Sequence, residues 1–123
     1  MNSHPKHLLS RSYRHELVTL CNDLLVKAAR DLAEFTKHGL NADFIVSLAH
    51  KCEHLETMLK QPAPLFAGAE LMQTEREIRD AIVRICETGR QIWNNNPHKY
   101  REYAISRSQL IEFQPGPGSI HAA

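Results

Sequence analysis

Two histidines and a cysteine crowd the stretch LAHKCEHLE, where His50, Cys52 and His54 have the types of zinc ligands. A structural zinc needs four such donors converging on one point. On a helix, at about 100° per residue, His50 and His54 lie about 40° apart and Cys52 points about 160° away from each. The three cannot hold one ion, and two histidines are too few for a structural site. Cys21 and Cys86 complete an odd count of three with no CxxC spacing, which predicts neither a disulfide scaffold nor a zinc ribbon. Each cysteine falls in apolar helical register, so the expectation is three reduced thiols buried as small hydrophobes.

The carboxylates offer a second chemistry. Glu53-x-x-Glu56 followed by Glu77-x-x-Asp80 resembles the magnesium motif of all-α nucleoside-triphosphate pyrophosphatases, which implies helical carboxylates holding Mg²⁺ against phosphates. Such a site needs all four groups in one cleft. With Ile78, Ile82 and Ile85 facing a core, Glu77 and Asp80 point about 140–160° away from Ile82. The spacing fits and the facing does not. At Ala49 and His50 the chain is similar to histidine phosphotransfer domains, but Glu53 and His54 stand where the supporting Lys and Gly would be. A carboxylate there would repel a phosphohistidine. HKYREYAISR, residues 98–107, mixes basic and aromatic side chains as nucleic-acid interfaces do. Its Tyr100 is assigned to a core stripe, and Arg107 lies one turn from Tyr103, where stacking at a core boundary explains the pair. Glu-x-x-His, CxxCH and Gly-rich phosphate loops do not occur. The sequence therefore implies no metal, no cofactor and no catalytic residue, and nucleic acid is disfavoured.

The elements that would position these groups are helices. Residues 69–95, AELMQTEREIRDAIVRICETGRQIWNN, repeat apolar positions at Leu71, Ile78, Ile82, Ile85, Gly89 and Ile92, the period of one helix face. Glu75 and Arg79, Arg76 and Asp80, and Asp80 and Arg84 stand four apart, each pair adding only about 0.2–0.5 kcal/mol, so the stripe fixes this helix. Gly89 interrupts it at a cost of roughly 0.5–1 kcal/mol relative to alanine, which predicts a close approach, with Phe35 or Tyr13 as the expected neighbour.

A first helix is expected over 12–38, with Ser12 as N-cap, a stripe of Leu17, Leu20, Cys21, Leu24, Ala28, Leu32 and Phe35, and Gly39 in the left-handed position after it. Asn41 then caps a second helix over 42–60, whose seam is Ile45, Leu48, Cys52, Leu55 and Leu59. Pro62 and Pro64 stop it, and the apolar pair Leu65 and Phe66 is read as a plug over one bundle end, or as an exposed docking knob. The third helix covers 68–95. Asn96 with Pro97 starts a fourth helix over 97–113, with Tyr100, Ala104 and Ile111 inward, Tyr103 on a flank and Arg107 on the margin as a clamp to a longer helix. Residues 1–11 are expected as a loose arm and the last ten as a mobile tail.

With 123 residues, 42% apolar and 24% charged, the chain is one domain able to bury its own core. A formal charge of +1 draws it to neither nucleic acid nor an anionic membrane. No run approaches the ~20 apolar residues of a membrane span, and the N-terminus lacks the apolar core of a signal peptide, so the expected address is cytoplasmic. These features add up to an all-α, antiparallel up-down-up-down four-helix bundle. The Gly-Leu-Asn link, the Pro-rich crossover and the last helix reading YREYAISR resemble small bacterial four-helix-bundle proteins, a likeness that implies a fold and no activity. Broad apolar arcs on the first and third helices, through Val18, Leu25, Met72 and Val83, point to a module that binds a protein partner or assembles as a homo-oligomer. Its candidate structural or interaction residues are Gly89, Arg107, Tyr103, Leu65 and Phe66.

Overall fold

Proline, glycine and asparagine punctuate the chain where the sequence places them. The computed structural model describes residues 6–60 and 68–105, so Leu65, Phe66, Arg107 and Ile111 lie outside the described residues. Among the described residues every regular element is a helix: α1 (Lys6–Arg30), α2 (Leu32–Lys37), α3 (Ala42–Leu59), α4 (Gly68–Ile92) and α5 (Pro97–Glu102).

The link from α2 to α3 follows from its residues. Gly39 takes φ 93°, the left-handed conformation that lacks a Cβ penalty in glycine. Its N–H bonds the Thr36 carbonyl at 3.1 Å, and the Leu40 N–H bonds that of Phe35 at 3.0 Å, a Schellman pair. Leu40 is buried, and the Asn41 side chain accepts from the Phe44 N–H at 3.1 Å to cap α3. Asn96 caps α5 in the same manner through the Lys99 N–H at 3.2 Å, with Pro97 at the first helical position.

α1, α3 and α4 pack pairwise around the core. Leu17, Leu24, Leu48, Leu55, Ile78, Ile82 and Ile85 are fully buried, each worth about 1.5–3 kcal/mol on removal from water. The expected seam of α3, from Ile45 to Leu59, is buried throughout. Val18 and Val83 are also buried within the chain, whereas Met72 remains 55% exposed, so most of the extra arc width is used internally.

Four boundaries differ from the sequence expectation, the simplest being that α4 ends at Ile92 and not at residue 95. α1 begins at Lys6, so Ser12 lies inside it and residues 6–11 are helical, not a loose arm. The first helix breaks at Asp31 (φ −101°, ψ 23°), which separates α1 from α2 and turns its carboxylate toward α5. α5 ends at Glu102, and Tyr103 leaves the helix at φ −118°, ψ 27°. The 3.6-residue period therefore stops before residue 104. Tyr100 and Ala104, expected inward, are exposed, and Tyr103, expected on a flank, is fully buried.

Candidate functional site

The ionisable groups converge most closely where the break at Asp31 meets α5. Asp31 occupies the slot between Ala28 and Phe35 in the α1–α2 stripe, a carboxylate in core register. Its Oδ2 accepts from the Tyr103 hydroxyl at 2.8 Å, from Lys99 Nζ at 2.8 Å and from Arg30 Nη2 at 2.7 Å. Glu102 closes the group, accepting from Arg30 and lying 3.7 Å from Lys99. Burial alone would raise the Asp31 carboxyl, but the hydrogen bonds from Arg30, Lys99 and Tyr103 outweigh it and hold the acid well below the usual range. The Arg30 hydrogen bond likewise lowers Glu102, and burial, reinforced by Asp31, raises the Tyr103 phenol. These shifts fix the ionised carboxylates and the neutral phenol, the states in which the clamp is closed.

Aromatic rings floor the cluster. Trp93 stacks on Tyr103 with centroids 5.5 Å apart, and Phe35 meets Trp93 and Tyr103 edge-on at 5.9 and 5.4 Å. Lys99 Nζ sits 4.5 Å from the Trp93 centroid. Gly89 lies beneath Tyr103: a Cβ there would stand 2.5 Å from Tyr103 Cγ. The close approach expected of Gly89 is present, but the neighbour is Tyr103, not Phe35 or Tyr13. Arg90 of α4 also holds this end of the chain, its Nη1 donating to the Tyr103 carbonyl at 2.8 Å and the Ile105 carbonyl at 3.0 Å, while the clamp expected of Arg107 lies outside the described residues.

A fully buried acid lies on the other half of α4. Glu75, 3% exposed, accepts from Arg14 of α1, and Arg79 donates to the Tyr13 hydroxyl. Burial raises the Tyr13 phenol, with Arg79 opposing it. The ladder expected within α4 is not formed: Glu75 and Arg79 reach α1, Arg76 bonds Gln73, and Asp80 pairs with neither Arg76 nor Arg84.

The remaining sequence candidates disperse. His50 and His54 line an open groove of about 470 Å³ between α3 and α4 with Asp43, Lys51 and Glu77, and His54 pairs with Glu70 at 2.9 Å. Glu77 and Asp80 line its continuation toward Arg84, whereas Glu53 and Glu56 line neither part, so the four carboxylates do not share a cleft. Among the described residues no three His, Cys, Asp or Glu side chains are grouped to hold a metal ion. Cys52 points into the core, where its thiol hydrogen-bonds that of Cys21; this contact, with burial, drives Cys21 upward. Burial pushes Cys86 up to about 11. In the basic-aromatic stretch, Lys99 and Tyr103 are committed inward, leaving His98, Tyr100 and Arg101 exposed.

What the arrangement does chemically is hold helices together. The half-buried carboxylate of Asp31 and the buried one of Glu75 each engage a cation on another element. Comparison with protein families, curated proteins and solved structures finds no match to this chain. No helix among the described residues is long and apolar enough to cross a membrane.

Proposed function

We propose that this protein is a non-catalytic helical module that binds a protein partner or assembles as a homo-oligomer. In outline it is an antiparallel up-down-up-down four-helix bundle whose fourth side is closed by α5 and residues 103–105. The opposite courses of α3 and α4 support that outline: His54 meets Glu70, and Phe44 lies under Arg84. The observation that carries the functional reading is the commitment of the inward acids. Asp31 and Glu75 are the acids that stand in core register, and both are spent on cross-helix ties. Charge left open to a partner lies instead along the α3–α4 groove.

Sedimentation velocity across a wide concentration range, alone and against candidate protein partners, tests the reading. A concentration-dependent complex is expected, together with no turnover of nucleoside triphosphates in Mg²⁺. Turnover that is abolished by Glu77→Gln would replace this reading with a pyrophosphatase-like enzyme. Tight, salt-sensitive retention of RNA or DNA lost on Arg101→Ser would replace it with a nucleic-acid-binding protein.

A further inference from the structure

Charges on the two sides of this molecule are treated differently. On the side where α1, α2 and α5 meet α4, Arg14 pairs with Glu75, and Arg30 and Lys99 pair with Asp31 and Glu102. Along the α3–α4 groove, half-buried Lys51 and Glu77 line both parts of the cleft, yet neither has an ion-pair partner among the described residues. Lys51 Nζ is held only by Ser47 Oγ at 2.9 Å, and Glu77 only by Gln73 Nε2 at 2.7 Å. Both side chains are thus fixed by neutral neighbours with their charge unmatched. Beside them Val46 is 51% exposed in the same groove.

From this self-complementary pattern we propose that the α3–α4 groove is a homodimer interface, occupied by a second copy of this chain. α3 and α4 run side by side in opposite directions, with Lys51 on one and Glu77 on the other. A two-fold axis lying along the groove, parallel to α3 and α4 and midway between them, lays α3 of each copy over α4 of its partner. Lys51 of one copy then meets Glu77 of the other, twice, and Val46 is covered from both sides. An identical chain satisfies both charges at once, which a partner of one sign would not. Opposite charges meeting in this way set register and orientation more than raw affinity.

The inference rests on the interaction-module reading and names its partner. Its test is a charge-swap series followed by light scattering at low salt. Wild-type protein is expected at twice the chain mass, and Lys51→Glu and Glu77→Lys, each alone, at the mass of one chain. Mixing the two variants is expected to restore the dimer as a heterodimer. The carboxylate introduced by Lys51→Glu then faces the ammonium introduced by Glu77→Lys, while the second contact keeps its original Lys51 and Glu77. That restoration cannot arise from misfolding of either variant. A dimer that survives both single changes overturns this face but leaves self-association standing. Wild-type protein at the mass of one chain at every concentration overturns the inference, and binding of a different protein would then keep the broader reading alive.

Discussion

The Tyr103 hydroxyl donates to the Asp31 carboxylate at 2.8 Å, joining residues 72 apart in the chain. This bond fastens the end of α5 to the break between α1 and α2. Because Asp31 also takes Lys99 and Arg30, one carboxylate governs how the last described segment closes over α4.

Asp31→Asn should lower stability at neutral pH by about 1.5–3 kcal/mol, the range for hydrogen bonds to a charged group. The pH dependence follows from the sign of the shift. The folded-state acid titrates below its ordinary value near 3.9, so its contribution is complete above pH ~4 and is lost as pH falls toward the depressed folded value. Denaturant melts of wild type and variant between pH 7 and pH 2 should show a constant gap above pH ~4.5 that narrows below pH ~4. A gap that stays constant throughout would detach Asp31 from acid stability.

Gly89→Ala should destabilise even though alanine is the better helix former. The helical gain is roughly 0.5–1 kcal/mol. Against it, the added Cβ would lie 2.5, 2.8 and 2.9 Å from three atoms of Tyr103, whose ring is locked between Trp93 and Phe35. Overpacking of this kind costs about 1–3 kcal/mol, so the net sign is a loss. A midpoint in thermal melting equal to or above wild type would place Tyr103 in looser contact.

Glycine in a helical stripe is therefore readable as a contact before its partner is known, and the reason is local: a conformational cost needs a cause. The partner is not readable, because it depends on where α5 stops. Extending the period past Glu102 puts Tyr100 and Ala104 inward and leaves Tyr103 aside. The caps at Asn41 and Asn96 and the turn at Gly39 are legible because each is settled by one residue's own chemistry. Asp31 and Glu75 carry a signal that an apolar stripe alone passes over: each is an acid in core register, Asp31 between Ala28 and Phe35, Glu75 between Leu71 and Ile78. An acid at such a position implies a cation on another element. Which cation it finds is a matter of tertiary placement, which spacing along a single helix does not contain.

The three thiols should resist labelling in the native state. All three are at most 1% exposed, and burial raises Cys86 to about 11. At pH 8 roughly one Cys86 in a thousand would then carry the reactive thiolate. Native protein should react with a thiol reagent at least ~100-fold more slowly than denatured protein, which should yield all three groups. Rapid labelling of Cys21 or Cys52 in native protein would mean that α1 and α3 separate readily.

Arg14→Met is expected to be more damaging than its half-exposed position suggests. The methionine retains most of the stem's packing and removes only the guanidinium. Glu75, whose side chain is 4% exposed, then keeps a buried charge with no ion-pair partner on α1. Breaking a buried pair from one side costs on the order of 3 kcal/mol, whereas replacing both members by apolar groups is often neutral. Arg14→Met/Glu75→Leu should therefore be more stable than Arg14→Met alone, although it carries one substitution more. Denaturant midpoints of the two single variants, the double variant and wild type complete the cycle. If the double variant instead loses the sum of the two single losses, Arg14 and Glu75 act independently, and the tie between α1 and α4 must come from Tyr13 and Arg79.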